Sequence, residues 1–258
     1  MRDAATVMMV TYNRLDLTKE TLDNVIANTK YPFNLVIVDN GSTDGTFDWI
    51  KNVFSKREER GSMQDFTFQA NKKNQGIAIG RNQALFLATR DEEVKWLSTI
   101  DNDVWLPKGW LTESIEILQS VPSYGSIGVN FEPVRYPTVT INGKTFQTKP
   151  QGNLGTACTV FNKKLHKMLG YYNHSDYGKY GEEDADWGMR TRVLGLKLGY
   201  VKEMGKHLGE GERDIGEYRD FKTESHKNNL AKFNKNCRDY ATKKKSLYIP
   251  FDINAVID

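Results

Sequence analysis

The sequence contains few cysteines. Among its 258 residues only Cys158 and Cys237 occur. They lie far apart and lack the close spacing of metal-ligating cysteines, which argues against a disulfide framework and against a zinc cluster. We expect both to be buried thiols.

Long apolar segments are also absent. No run approaches the roughly 18 apolar residues that span a bilayer, and the first residues, MRDAATVMMVTYNR, enter a strand pattern without the apolar core of a signal peptide. The mean hydropathy of -0.61 and the charged fraction of 27% are typical of a water-soluble protein. We therefore expect a cytoplasmic chain without a transmembrane segment.

The chain has little excess charge of either sign. Its net charge of +3 is too small to indicate nucleic-acid binding by itself, although lysines are concentrated towards the C-terminal end. A chain of this length can bury one good core or two modest ones. We expect one α/β domain with additions.

Strands and helices alternate in the first half of the sequence. Residues 5–11, ATVMMVT, predict a strand, and Leu22, Val25 and Ile26 fall on one face of the helix that follows. Residues 34–39, NLVIVD, form an unbroken apolar run typical of a parallel strand covered on both faces. Further elements are predicted as strands at 66–70 and 94–100, a helix at 79–89, and a helix with Leu111, Ile115 and Leu118 on one face. The alternation predicts an open parallel sheet with ligands at the carboxyl ends of its strands.

An antiparallel section begins after residues 126–130. The sequence TVTI, Asn142-Gly143 and KTFQ is typical of a hairpin with a type I′ turn. The later elements are predicted as a strand at 156–161, a short helix carrying Leu165, Met168 and Leu169, the strand LGYV, and a helix at 183–194 that Gly195 ends.

Polar residues follow the first two strands. The first strand ends in Thr11-Tyr12-Asn13-Arg14 and the second in Asp39-Asn40. Tyrosine can stack on a base, and an aspartate can accept a hydrogen bond from a ring N–H. Gly76 then precedes a helix carrying Arg81, whose guanidinium can bind a phosphate or a base. Each segment alone is also a common turn sequence.

The apolar strand LSTI ends in Asp101-Asn102-Asp103. Its two carboxylates would repel each other unless a hard divalent cation joins them, and Mg²⁺ and Mn²⁺ prefer such oxygen ligands. A diphosphate could complete the coordination. The alternative is a solvated acidic turn.

A third acidic segment, Glu182-Glu183-Asp184-Ala185-Asp186, stands where a helix is predicted to begin. Negative charge is favourable at a helix N-terminus, so helix capping is one interpretation. Asp186 also has the spacing to pair with Arg190 one turn later, in a structural role.

Taken in order, the segments VTYNR, VDNGSTDGT, NQGIAIGRNQAL, DNDVWLPKGW and GEEDADWGMR resemble family 2 of the glycosyltransferases. The resemblance covers about residues 5–210. It implies the GT-A (Rossmann-like) α/β fold, with a mixed, mostly parallel central sheet flanked by helices. We expect a β-hairpin insertion and a helical C-terminal tail on this fold.

The resemblance implies inverting, metal-dependent transfer of a sugar from a nucleotide diphosphate sugar, expected to be a UDP sugar, to a saccharide or another hydroxyl-bearing acceptor. The cofactor would be Mn²⁺ or Mg²⁺. The metal site would contain Asp101, Asp103 and His207, with Asp103 as the direct ligand. The catalytic base would be Asp184, with Glu183 as the alternative and Asp186 nearby. The donor would be bound by Thr11, Tyr12, Asn13, Arg14, Asp39, Asn40, Gly76, Arg81, Asp101 and Asn102.

The histidines receive different interpretations. His207 lies after the strand LGYV, where relatives often place a metal ligand, although a lone histidine is more often structural or solvated. His166, His174 and His226 are interpreted as structural.

Three other functions share some of these sequence features. A sugar-nucleotide synthesising enzyme normally has a glycine-rich basic loop after its first strand, which TYNRLD is not. An inactive sugar-nucleotide-binding or scaffold protein of the same fold is possible because fold does not imply activity, but the intact acidic segments argue against it. Only the lysines near the C-terminus suggest a glycosyltransferase that modifies nucleic acid.

We expect a glycosyltransferase domain at 1–215, with a nucleotide-binding part to about residue 103 and an acceptor-binding part at about 104–215, and a basic helical extension at 216–258. Within the extension, Leu230, Phe233, Cys237 and Tyr240 recur at intervals of three and four residues. This seam predicts a helix that docks on the body of the protein or on a second copy in a homodimer.

Overall fold

The computed structural model describes residues 4–155, 157–209 and 216–256. Its first half alternates strands and helices as the apolar pattern predicted, with one further helix, Thr46–Asn52, that was not predicted. These elements are β1 (Ala4–Thr11), α1 (Leu15–Asn28), β2 (Phe33–Asp39), α2 (Thr46–Asn52), β3 (Met63–Ala70), α3 (Ile77–Thr89) and β4 (Val94–Ile100). A short 3₁₀ helix at Phe54–Lys56 lies between α2 and β3.

The second half mixes short strands with helices. Its elements are β5 (Val104–Trp105), α4 (Trp110–Ser120), β6 (Tyr124–Gly128), β7 (Thr138–Ile141), β8 (Lys144–Lys149), β9 (Cys158–Asn162), α5 (Lys163–Leu169), α6 (His174–Tyr177), α7 (Glu183–Val193), β10 (Lys197–Tyr200), β11 (Lys206–His207) and α8 (Gly216–Ala241). The predicted strand at 156–161 is β9, and its first predicted residue, Thr156, lies outside the described residues. The expected boundary at residue 215 also lies outside them.

Nine strands form one sheet in the order β3-β2-β1-β4-β9-β6-β10-β8-β7. Strands β1 to β4 are parallel to one another, and β6 is parallel to β10. Strands β8 and β9 run in the opposite direction. The mixed, mostly parallel sheet that the resemblance implies is therefore confirmed, and the carboxyl ends of β1, β2 and β4 lie side by side.

The predicted hairpin is formed by β7 and β8. Asn142 and Gly143 both have positive φ, 49° and 76°, as a type I′ turn requires. The hairpin extends the sheet at the edge opposite β3.

Two apolar layers cover the sheet. Leu22, Val25 and Ile26 of α1 are buried in one cluster with the inward side chains of β1 and β2. The other face is covered by α3, α5 and α7, with Leu85, Leu165 and Trp187 in its cluster. Burial of apolar surface stabilises the folded state by roughly 25 cal/mol for each Å² removed from water. The sheet is therefore held between helices on both faces.

Helix α5 places Leu165, His166 and Leu169 against the body and leaves Met168 47% exposed. Two predicted burial positions need correction. Leu230 of α8 is 41% exposed. Cys237 is only partly buried, whereas Cys158 is buried as expected.

Helix α8 packs against α6 and α7 of the same chain. Docking on the body is thus confirmed, but the docking face differs from the predicted seam. Within residues 219–241 of this helix, the buried residues are Asn229, Asn236 and Tyr240. Among the described residues, no helix is both long and apolar enough to cross a membrane.

Candidate active site

Strands β1 and β2 bring the first polar segments together. Asp39 is buried and accepts hydrogen bonds from Thr11 Oγ1 at 2.9 Å, from Ser42 Oγ at 2.6 Å and from the Ser42 backbone N–H at 3.0 Å. Ser42 Oγ also accepts from the Asn13 backbone N–H at 2.7 Å. The two loops at this edge of the sheet are therefore tied into one unit.

The loop after β1 has an unusual backbone. Asn13 and Arg14 have φ of 58° and 64°, in the left-handed region that residues with a Cβ adopt rarely. Asn13 Oδ1 accepts a hydrogen bond from the Thr43 backbone N–H at 2.8 Å, which holds it there. Tyr12 is 47% exposed beside this turn, so its ring lies at the surface of the site.

Asn40 and Gly76 organise the loop before α3. The Asn40 side chain donates to Asn74 Oδ1 at 3.0 Å and to the Gly76 carbonyl at 3.1 Å, and accepts from the Gln75 backbone N–H at 3.0 Å. Gly76 has φ 94°, and a Cβ there would lie 2.7 Å from Lys179 Cα. Both predicted residues shape the site through its backbone.

Asp103 lies at a corner formed by Arg14 and His207. Arg14 Nη1 contacts Asp103 Oδ2 at 2.6 Å, and His207 Nδ1 lies 3.9 Å from Asp103 Oδ1. Strand β11 pairs with β5 and sets His207 opposite Val104, next to Asp103. Tertiary structure therefore joins residues more than a hundred positions apart, as the resemblance implies for this site.

Asn102 has a different environment from the aspartates on either side of it. It donates to Thr18 Oγ1 at 2.9 Å and to the Asn13 carbonyl at 3.3 Å, which anchors the acidic turn to α1 and to the loop after β1. Asp101 contacts Arg81 Nη2 at 2.9 Å. The two carboxylates of the turn thus bind two different arginines.

Arg81 links the acidic turn to α7. Its guanidinium is buried, contacts Asp101, donates to Glu183 Oε1 at 2.5 Å and lies over the Tyr172 ring. Burial opposes the charge of Arg81, but the carboxylates of Asp101 and Glu183 outweigh this effect and raise its pKa. Arg81 therefore remains a cation that can bind a phosphate.

The acids at the start of α7 have distinct neighbours. Glu182 contacts His226 of α8 and makes no side-chain capping hydrogen bond. Glu183 is buried, and burial together with the nearby charge of Asp184 raises its pKa to about 7 in spite of Arg81. Asp184 is half-buried, and its Oδ1 accepts from the Ala185 backbone N–H at 2.6 Å.

Asp186 is a structural residue at the centre of a buried polar cluster. It accepts from Arg190 Nε at 2.6 Å, from Tyr177 Oη at 2.8 Å and from Tyr240 Oη at 2.9 Å. Arg190 in turn donates to the Leu169, Tyr171 and Leu247 carbonyls. The predicted pairing of Asp186 with Arg190 is present.

A family model matches most of the chain, and α7 and His207 lie beyond the matched residues. The model described as "Glycosyl transferase family 2" matches residues 6–171, which include the loops after β1 and β2, Arg81 and the acidic turn. The chain belongs to glycosyl transferase family 2.

Curated relatives of this family 2 chain are distant. It is 27% identical over 129 residues to a glucosyl-dolichyl phosphate glucuronosyltransferase of Haloferax volcanii, covering 49% of this chain and 38% of that protein. It is 31% identical over 104 residues to an uncharacterized glycosyltransferase of Rickettsia bellii, covering 40% of this chain and 13% of that protein. The matches thus cover less than half the length of either relative.

Solved structures share the GT-A fold. A mannosyltransferase, PcManGT, from Pyrobaculum calidifontis in complex with GDP-Man and Mn²⁺ has a TM-score of 0.59 at 20% identity, covering 78% of this chain and 57% of that one. TarS 1-349 of S. aureus in complex with UDP-GlcNAc has a TM-score of 0.60 at 17% identity, covering 84% and 60%. At this identity, the similarity establishes the fold.

Some residues at the site of this family 2 chain could not be identified as site residues from the sequence. The Phe131 ring packs against the His207 ring at 4.9 Å between centroids, and Tyr172 lies beneath Arg81. Ser42 stands inside the VDNGSTDGT segment, but only the structure reveals that its hydroxyl joins Asp39 to the loop after β1. Such aromatic and hydroxyl residues occur throughout the sequence, so their type alone does not identify them.

Proposed function

We propose that this chain transfers a sugar from a nucleoside diphosphate sugar, expected to be a UDP sugar, to a hydroxyl group of a saccharide or another acceptor, with inversion at the anomeric carbon. The observation that carries this proposal is the meeting of Arg14, Asp103 and His207 at the carboxyl edge of the sheet. A cation, a carboxylate and an imidazole converge there beside the loops after β1 and β2. Membership in family 2 supports the same reaction class.

The donor would lie across the carboxyl ends of β1 and β2 and the N-terminal part of α3. Tyr12 is exposed, so its ring can stack on a base, and the buried Asp39 belongs to the adjacent loop unit. The buried cation of Arg81 suits the diphosphate. TarS structures that contain UDP or UDP-GlcNAc support a uridine nucleotide, whereas PcManGT was solved with GDP-Man.

Asp103 and His207 fit a divalent cation. Their side chains approach to 3.9 Å, and His207 Nδ1 is buried without a hydrogen-bond partner among the described residues. Carboxylate oxygen and imidazole nitrogen suit Mn²⁺, and the Mn²⁺ in the PcManGT structure supports this choice. When bound, Mn²⁺ or Mg²⁺ would neutralise negative charge on the leaving diphosphate.

Protein residues alone do not complete such a site. Within the described ranges, no group of three or more His, Cys, Asp or Glu side chains is arranged to hold a metal ion. Asp101 contacts Arg81, so it would orient the guanidinium that faces the diphosphate and would add negative charge to the site. The donor phosphates would therefore supply further oxygen ligands, and metal and nucleotide should bind synergistically.

Asp184 is the proposed catalytic base. Glu183 is buried against Arg81, and Asp186 is enclosed with Arg190, whereas Asp184 is half-buried at the same end of α7. In the reaction, the acceptor oxygen bonds to the anomeric carbon, and the bond from that carbon to the diphosphate breaks. Asp184 takes the acceptor proton, and Arg81 stabilises the charge left on the diphosphate.

A donor screen tests the proposal. UDP and GDP sugars are incubated with the protein and Mn²⁺, Mg²⁺ or a chelator, with and without simple saccharide acceptors, and the released nucleotide is identified. We expect release of UDP from a subset of UDP sugars, and loss of that release in chelator. Release that survives chelation would refute metal dependence. Tight nucleotide binding without turnover of any donor would favour an inactive sugar-nucleotide-binding protein.

A further inference from the structure

The segment between α6 and α7, residues 178–182, determines where α7 begins. We call it the 178–182 loop. Gly178, Gly181 and Glu182 all have positive φ, at 65°, 93° and 68°. The left-handed conformation is disfavoured for Glu182, because it carries a Cβ, so surrounding contacts must hold it. The next two residues are Glu183 and the proposed base, Asp184.

Asn229 of α8 binds the last residue of α6 and two residues of this loop. It is only 6% exposed. Its Nδ2 donates to the Tyr177 carbonyl at 2.9 Å and the Tyr180 carbonyl at 3.0 Å, with the Gly181 carbonyl at 3.4 Å. An asparagine amide has two N–H donors. A buried carbonyl that is left without a donor destabilises the folded protein. One side chain from α8 therefore satisfies the backbone of a loop about fifty residues earlier in the chain.

Other residues on the same face of α8 extend this contact. Lys232 Nζ donates to the Asp176 carbonyl at 3.1 Å, and Asn236 donates to Asp176 Oδ2 at 2.9 Å and to Tyr177 Oη at 2.8 Å. These residues follow Asn229 by three and seven positions, the spacing of one helix face. Of these three residues, Asn229 binds the backbone of the loop, and His226 one turn earlier contacts the Glu182 side chain.

The opposite side of the loop contacts the donor half of the site. The Ile77 backbone N–H donates to the Lys179 carbonyl at 2.9 Å, and only a glycine fits at position 76 because Lys179 lies so close. Ile77 begins α3, the helix that carries Arg81. The loop is thus held between α3 and α8, with α7 at its end.

We propose that Asn229 is a positioning residue for the transfer step, holding the 178–182 loop so that α7 presents Asp184 beside Arg81 and Asp101. This inference rests on the proposed function. Asn229 would act through the loop and would not touch substrate. Its loss should therefore lower the rate of transfer while leaving the nucleotide bound as before, because the hydrogen bonds of Asn229 go to residues 177–181, whereas the loops after β1 and β2 are held by hydrogen bonds to each other.

The test compares Asn229→Ala with Asn228→Ala, which changes the same residue type at the adjacent, exposed position of α8. For each variant, kcat, donor KM, affinity for nucleoside diphosphate with Mn²⁺, melting temperature and amide hydrogen exchange are measured well below the melting temperature. We expect Asn229→Ala to lower kcat by about 10- to 100-fold, the scale of a small misplacement of a catalytic group. Nucleotide affinity should be unchanged, and exchange should quicken in residues 178–187. Asn228→Ala should match the wild type in every measurement.

Two further variants separate hydrogen bonding from packing. Asn229→Asp keeps the shape but places a carboxylate against carbonyl oxygens, so it should be at least as slow as Asn229→Ala. Asn229→Ser keeps one donor and should give an intermediate kcat, and it serves as the test if Asn229→Ala does not fold. A normal kcat in Asn229→Asp would overturn the hydrogen-bonding role.

The outcomes separate this inference from the proposed function. A folded Asn229→Ala with the kcat of Asn228→Ala would overturn the positioning role and leave the proposed function standing. Equal losses in kcat and nucleotide affinity would also overturn it, because Asn229 would then support the whole site. A wild-type protein that binds nucleotide but transfers no sugar would overturn both.

Discussion

The turn after β4 and the first turn of α7 both concentrate carboxylates at the candidate site, but they separate them in different ways. In the turn, Asp101 binds Arg81 and Asp103 binds Arg14, with Asn102 anchoring the backbone between them. The two acids therefore point to partners on different elements, Arg81 on α3 and Arg14 in the loop after β1. Each is neutralised locally, and the segment remains compact.

In α7, successive residues are rotated by about 100° around the helix axis. Glu183 consequently binds Arg81 and Asp186 is enclosed with Arg190 in the core, whereas Asp184 points away from both and is half-buried. Residues of the same chemistry therefore serve stability, charge balance and the proposed catalysis within one turn. An acidic segment therefore does not reveal which acid reacts until the direction of each side chain is known.

The largest effect is expected from Asp186→Asn, which removes the charge paired with buried Arg190. Breaking a buried ion pair on one side costs about 3 to 5 kcal/mol. The free energy of unfolding, measured in urea, should fall by that amount. Glu182→Gln is the control, because its partner His226 is exposed and such pairs contribute about 0 to 1 kcal/mol. Equal losses in the two variants would contradict the contrast drawn within α7.

Asp103→Asn should lower the rate of transfer by about 100- to 1000-fold at saturating donor and Mn²⁺. This is the scale expected when one group that stabilises charge in the transition state is removed. The variant keeps the shape of the turn, so its melting temperature should change little. Asp65→Asn, at an exposed aspartate of the edge strand β3, should match the wild type. Wild-type turnover in Asp103→Asn would remove Asp103 from the proposed metal site.

Asp184→Asn should lower transfer by about 100-fold or more, the scale of losing a general base. Affinity for the donor should remain, since Asp184 lies on the acceptor side of the proposed reaction. Both kcat and the affinity for the donor are measured, the affinity by calorimetry. If Asp184→Asn is active and Glu183→Gln is inactive, the base is Glu183. If both variants transfer normally, neither acid is the base.

The smallest expected effect is a dependence of stability on pH. Burial raises the pKa of Glu183 from 4.5 to about 7, so its contribution to stability is complete below pH 4.5 and is lost as the pH rises through about 7. Between about pH 5 and pH 8, in chelator and without nucleotide, the wild type should lose stability relative to Glu183→Gln. Melting temperatures of both proteins across this range provide the check. A constant difference between them would show that Glu183 is ionised throughout.

Much of the site could be predicted because parallel strands gather their carboxyl ends at one edge. Thr11 and Asp39 are the last residues of adjacent strands, and a hydrogen bond joins them. The acidic turn follows β4, the neighbour of β1 on its other side. These juxtapositions follow from strand order alone. Apolar periodicity likewise predicted the buried face of α1, because a helix in contact with a sheet must bury an apolar stripe.

The tail could be predicted only in part. Periodicity indicated a docking helix, and Tyr240 is buried as the seam required, but Leu230 is exposed and its neighbour Asn229 is buried. The surface that α8 meets is a loop with carbonyl groups to satisfy, so an amide stabilises this contact where an apolar side chain would not. A pattern within the helix contains no information about that partner surface.

By itself, the sequence determined the order of strands and helices, the apolar faces, the hairpin turn and the polar residues at the strand ends, because these depend on local conformation and on periods of two and 3.6 residues. Only the tertiary structure decided which carboxylate faces which arginine, that Phe131 packs on His207, and that Asn229 holds the loop before α7. Those contacts join residues far apart in the chain. They depend on the directions of side chains across packed elements, and residue type and spacing do not specify such directions.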